Sequence, residues 1–397
     1  MVWWQQSWRF LGLRIPMIWV VWMLLACIAA CLETLVHGNY NNYKIFEGVF
    51  HHVRQQTNLY ALYPAAYEDC NHYGPTFSLL IAPFALLPQK LGVIVWCLAN
   101  AAALLYAIQR LPITKHQQMV VLWIAALEMM TSIHNVQFNP MLTAMMVLAF
   151  VGVYEEKDWL ATLMIALGFL IKLYGIAAIL FFVFSKHKIK FIGWGLLWLI
   201  VLFAAPMLIS SPAFIVQSYI DWYTELVVKN AKNANLTESG MMQDLSVMGM
   251  IRRIGQWPSF PNWAAIIPGG IILLLPLLRF QQYAAKNFQL LYLAAVLLTV
   301  VIFSSSAESA TYVIAVTGFA IWYTVSYQQQ RWMIALLISM FVLTELSATD
   351  LLPDYIRINI VRAYALKALP CTLAWLAIVW QLGTHTFATK STETRHA

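Results

Sequence analysis

Residues 159–184 read WLATLMIALGFLIKLYGIAAILFFVF, an apolar run with a single cation, Lys172, near its middle. A helix crosses ~30 Å of hydrocarbon with about 20 residues, so this run is either one long tilted crossing or two short ones broken at Lys172-Leu173-Tyr174-Gly175. Cytoplasmic loops carry the excess of Lys and Arg, which lets the charges decide. If the run is one helix and Thr76 to Leu87 is a full crossing, Arg110 and Lys115 fall outside. If it is two helices and 76–87 only dips into the bilayer, then Arg9, Arg14, Arg110, Lys115, Lys157, Lys186, Lys188, Lys190, Arg279, Lys286, Arg331, Lys390 and Arg395 all fall inside. The second threading predicts a single all-α transmembrane domain over 1–397, with about twelve crossings and both termini cytoplasmic. It puts Lys172 at the outer mouth of the bundle.

Composition agrees with this class. Of 397 residues, 61% are hydrophobic and only 10% charged, and the mean hydropathy is +0.69, too apolar for a soluble globule of this size. The first apolar run, Pro16 to Val36, is too long for a removable signal and has no small-residue cleavage site, so it is expected to be an anchor. The net charge of +7 collects at span ends and not on a basic face interleaved with aromatics, so nucleic acid is not an expected partner. Cys27, Cys31, Cys70, Cys97 and Cys371 form neither CxxC nor a Cys/His metal spacing. No Gly-rich phosphate loop opens a helix on the inner side.

The expected outer surface comprises loop one (37–75), the turn from His134 to Asn139, a long loop at 210–262, the Ser304 to Ser309 turn and the loop 350–367. A half-helix at 76–87 follows loop one. Loop one carries Asn42, Lys44, Glu47, Glu68, Asp69, His72 and Tyr73 among further tyrosines. Aromatic faces suit sugar C–H faces and carboxylates or amides suit hydroxyls, although tyrosines at headgroup level give the same composition. His51-His52 is a poor metal pair, since adjacent helical residues point apart. Lys172 either snorkels to the headgroups or, beside a helix break, holds an anionic group. Glu33, Glu128 and Glu345 lie in or near spans, and Glu128 is expected to be paired or protonated within the bundle. Glu308 is a carboxylate between two apolar helices, either a tuned acid or base or part of a solvated turn. Arg252 and Arg253 lie in a loop assigned outside, where they invite an anion.

Several segments together resemble glycosyltransferase family 87, membrane enzymes of the GT-C superfamily that include α-mannosyltransferases. They are Asn42-Tyr43-Lys44-Ile45-Phe46, Asn58-Leu59-Tyr60, His72-Tyr73-Gly74-Pro75-Thr76-Phe77, Ile81 to Pro88, Asn135-Val136-Gln137-Phe138-Asn139, Phe169 to Tyr174, and Leu245 to Met250. The Glu308-Ser309 turn and Tyr355 to Leu369 look like one branch of that family. The resemblance implies a GT-C-like bundle that moves a mannose-like hexose from a polyprenyl-phosphate sugar to a glycan or lipid-linked acceptor, on the extracytoplasmic face and with inversion. Membrane lipid is then a partner. No cofactor is expected, and a divalent metal is left open.

The loop-one position that is usually Asp in such enzymes corresponds here to Asn42, and an amide cannot deprotonate a hydroxyl. The base is then Asp69, with Glu308, Glu68 or Glu47 as alternatives, or the protein is an inactive partner. Lys172, with Arg252 or His72, would hold the donor phosphate. Asn42, Lys44, Glu47, Tyr73, Asn135, Gln137 and Asn139 would hold sugar or acceptor. A lipid or sugar transporter is the rival class, though the two halves show no internal repeat.

Overall fold

The computed structural model describes residues 7–10, 13–233, 242–326 and 330–387. Lys390 and Arg395 lie outside these residues. Ser7–Phe10 and Leu13–Pro16 pair antiparallel as a short hairpin at the N-terminal edge, Phe10 opposite Leu13, ahead of the helical domain. Both segments alternate polar and apolar residues, the period of a strand. The other described elements are helices.

The helices, in chain order, begin with α1 (Met17–Cys31), α2 (Asn41–Gln55), α3 (Phe77–Ala85), α4 (Gln89–Arg110) and α5 (Lys115–His134). Next come α6 (Asn139–Tyr154), α7 (Asp158–Ile171), α8 (Lys188–Ala204) and α9 (Pro212–Asn233). The remaining longer ones are α10 (Val247–Ile254), α11 (Trp263–Leu274), α12 (Lys286–Ile302), α13 (Tyr312–Val325), α14 (Arg331–Met340) and α15 (Leu369–Thr384). The stretch 210–262, expected as a loop, thus carries α9 and α10.

Among the described residues, five helical segments are long and apolar enough to cross a membrane: Met17–His37, Gln89–Arg110, Lys188–Leu208, Arg331–Ala348 and Leu366–Thr384. Six further apolar helices have 10–17 residues. At 1.5 Å per residue these span ~15–25 Å, short of the ~30 Å core, so helix length does not support about twelve full crossings. The long apolar runs are cut where polar residues turn the chain, at Lys172 and between α12 and α13. The protein is a helical membrane protein.

The quoted run is broken in two. Lys172 is extended (φ −146°, ψ 122°) between α7 and a 3-10 helix, Leu173–Phe184, that folds back beside it. The approach needs two glycines: a Cβ on Gly175 would meet the Gly168 carbonyl carbon at 2.3 Å. α12 and α13 form the centre of the bundle, with Leu290 to Leu298 and Tyr312 to Trp322 buried on every side. A helix apolar all round belongs in such an interior. α8 is the opposite case, burying Phe191 and exposing Ile189, Ile192, Leu196, Leu197 and Ile200.

Lys367, assigned by sequence to an outer loop, is 2% exposed. Its Nζ donates to Glu128 Oε1 and to the Thr344 carbonyl, both at 2.6 Å. A buried cation needs a counter-charge and acceptors, and Glu128 is paired as expected.

Candidate active site

The site forms where the ends of α5, α6 and α7 meet loop one and the turn before α13. Val136 adopts a left-handed conformation (φ 51°) that turns the chain from α5 toward α6, and Pro140 starts α6 with its φ already helical. Gln137 and Asn139 then reach the same turn: Gln137 Nε2 donates to Glu308 Oε1 at 3.0 Å, and Asn139 Nδ2 to the Ala310 carbonyl at 3.0 Å.

Loop one is anchored by Gly74, whose N–H donates to the Ile171 carbonyl at 3.0 Å. A Cβ there would lie 2.0 Å from the Leu170 carbonyl oxygen, so only glycine fits. This contact holds Tyr73 at the helix break. Its hydroxyl donates to Gln137 Oε1 at 3.2 Å, and its ring stacks on Phe77 with centroids 4.8 Å apart. Lys172 Nζ donates to Asn139 Oδ1 at 2.8 Å and lies 5.6 Å and 5.1 Å from the ring centres of Tyr73 and Tyr174. Tyr174 is fixed in turn by a 2.6 Å hydrogen bond between its hydroxyl and that of Ser304.

Glu308 accepts a second hydrogen bond from Gln243 Nε2 at 3.2 Å. Beside it is a cavity of about 100 Å³ lined by Asn135, Met242, Leu245, Glu308, Ser309, Ala310 and Arg362. Asn42 Nδ2 reaches this edge by donating to the Asn135 carbonyl at 2.8 Å.

The structure therefore brings together Lys172, Tyr73, Asn135, Gln137, Asn139, Glu308 and, at the rim, Asn42. Other candidates lie elsewhere. Glu47 accepts from Gln89, Lys44 lies over the Tyr40 ring, and the Glu68 backbone pairs with the Asn41 side chain. Arg252 is buried against Asp244, the Phe260 carbonyl and Asn262, which occupy its guanidinium.

Asp69 and His72 belong to a second cluster with Cys70, Glu225 and Lys229. Asp69 Oδ2 lies 3.5 Å from both His72 Nε2 and Lys229 Nζ. His72, with Lys229, holds the Asp69 carboxyl well below the usual carboxylate range, even though partial burial opposes this. Burial pulls the His72 imidazole down, but Asp69 and Glu225 together outweigh it and raise it above its ordinary value.

The model of glycosyltransferase family 87 matches residues 71–305, more than half of the chain and inclusive of Tyr73, Gln137, Asn139 and Lys172. The chain belongs to this family. Family 87 enzymes are glycosyltransferases, and this helical member is a membrane glycosyltransferase. No curated protein matches the chain. Within this family 87 chain, sequence reading missed Gln243, Arg362, Tyr174, Glu225 and Lys229. Glu225 and Lys229 are spaced i, i+4 on one face of α9, a signal available in the sequence. Gln243 reaches Glu308 and Arg362 lines the cavity, both from segments distant in the chain, and no local pattern marks them.

Proposed function

We propose that this family 87 enzyme transfers a mannose-like hexose from a polyprenyl-phosphate sugar to a lipid-linked or glycan acceptor on the extracytoplasmic face. In this reading Lys172 holds the donor phosphate and Glu308 is the base. The acceptor O–H proton goes to Glu308 while the acceptor oxygen bonds to the anomeric carbon. The bond from that carbon to the phosphate breaks, and polyprenyl phosphate leaves with its charge beside Lys172. A single displacement inverts the anomeric centre. Proton removal contributes ~10²–10⁴-fold in rate, and a fixed cation at the leaving phosphate stabilises the charge that develops there.

One observation carries the reading. Lys172 is linked to the turn at 308–310 by two routes, through Asn139 to the Ala310 carbonyl, and over the Tyr73 ring through Gln137 to Glu308 itself. A cation and a hydrogen-bonded carboxylate thus belong to one polar network at the end of apolar helices, a setting that suits a lipid phosphate. Asp69 suits the base role less well, because the same contacts that stabilise its carboxylate weaken its basicity. The proposed threading keeps about twelve membrane passes, some by short paired helices, with both termini cytoplasmic.

The test is incubation of the reconstituted protein with radiolabelled polyprenyl-phosphate sugars and candidate acceptors. Transfer is expected from a lipid-phosphate donor, with loss in Lys172→Met and Glu308→Gln. Transfer only from nucleotide sugars would refute the donor class. Movement of labelled lipid across the bilayer without transfer would favour a transporter.

A further inference from the structure

We infer that Cys70, His72 and Glu225 form a binding site for a zinc-class divalent metal ion, with Asp69 as the outer partner of the imidazole, stapling loop one to α9. The inference does not rest on the proposed reaction, because the cluster is separate from the Lys172 and Glu308 cleft.

Two donors come from loop one, with Asn71 between them, and the third from α9. Glu225 Oε1 lies 3.3 Å from Cys70 Sγ and 3.3 Å from His72 Nδ1. Ligand atoms of Asp69, Cys70 and His72 all lie within 4.8 Å of one another. With Zn–N and Zn–O of ~2.0 Å and Zn–S of ~2.3 Å, neighbouring ligands of a tetrahedral shell stand roughly 3.3–3.5 Å apart. The two edges at Glu225 have that length.

The imidazole adds a second, independent observation. Both His72 nitrogens are shut off from solvent, yet neither makes a hydrogen bond of proper geometry. Nδ1 faces the Glu225 carboxylate at 3.3 Å, the same oxygen that the Cys70 thiol meets, while Nε2 faces Asp69 at 3.5 Å. A metal-bound histidine commonly donates its other N–H to a carboxylate, which fixes the ring. Lys229 balances the charge of Asp69, meeting the same Oδ2 that faces the imidazole. The thiolate and Glu225 then neutralise a divalent ion, and three protein donors leave a fourth position for water. Trp222 Nε1, donating to the His72 carbonyl at 2.9 Å, closes the site from α9. A mixed sulfur, nitrogen and oxygen donor set favours Zn²⁺ or Co²⁺ over Mg²⁺ or Ca²⁺.

The full-length protein in detergent is stripped with a chelator and titrated with Zn²⁺ and, separately, Co²⁺. One ion per chain is expected, with thiolate-to-cobalt charge-transfer absorption. Zinc should also protect Cys70 of the unsubstituted protein from a thiol reagent, a readout that needs no variant. Cys70→Ser should abolish the absorption band, Glu225→Gln should weaken binding at least ~10-fold, and Asp69→Asn should weaken it ~10–100-fold. Absence of stoichiometric binding, a band that survives Cys70→Ser, or equal labelling of Cys70 with and without zinc would each overturn the site.

Discussion

Lys172 Nζ lies 2.8 Å from Asn139 Oδ1, so the cation at the helix break is held by the first residue of α6. An ammonium offers three donors, and Asn139 is its one side-chain acceptor among the described residues, the other near neighbours being the rings of Tyr73 and Tyr174. Such a cation is oriented without being neutralised, as a phosphate-holding group must be.

Replacing it should cost donor affinity. A hydrogen bond to a charged group contributes about 2 kcal/mol, so Lys172→Met should weaken binding of a polyprenyl-phosphate sugar ~30-fold. Donor binding to the reconstituted protein measures this. Unchanged affinity in a stable Lys172→Met protein would leave Lys172 a snorkelling side chain.

The Lys367 and Glu128 pair should behave differently, since both groups are buried and each depends on the other. Lys367→Met strands an uncompensated carboxylate and should destabilise the protein by ~3–5 kcal/mol, whereas the double variant Lys367→Met, Glu128→Leu should recover most of that loss. Thermal unfolding of the three proteins in one detergent decides it. A double variant no more stable than the single one would show that the pair is not the coupled unit.

These two lysines show what a sequence discloses and what it hides. Lys172 stood out because a charge interrupts an apolar run just before Tyr174-Gly175, and the chain breaks at that point. Lys367 sits at the border between a polar segment and an apolar helix, and its partner is 239 residues away. No local period encodes such a contact. The same limit applies to the two candidate bases: Asp69 and Glu308 both lie on polar turns, and only the fold separates a carboxylate tied to His72 and Lys229 from one facing Gln137. The crossing count depended on apolar run length, which does not reveal that runs close into short paired helices.

The proposed sidedness rests on the charge distribution. A cysteine introduced at exposed Asn135 should react with an impermeant thiol reagent from outside, and one at exposed Glu156 only after the inner face is opened. The reverse pattern would invert the threading and move the cleft to the cytoplasmic side.

Glu308 is held on one oxygen by Gln137 and on the other by Gln243, so Glu308→Gln preserves size but removes the basic oxygen pair and puts an amide donor where a carboxylate accepted. Turnover should fall ~10²-fold or more, with substrate affinity changed much less, because proton removal matters in the transition state and little in the ground state. The acidic limb of the pH–rate profile, where the base becomes protonated, should disappear with it. Glu308→Asp keeps the carboxylate but shortens its reach by one methylene, so it should retain part of the rate and keep the limb. Full turnover in Glu308→Gln beside a ~10²-fold loss in Asp69→Asn would transfer the role to Asp69 and make the Gln137 contact structural.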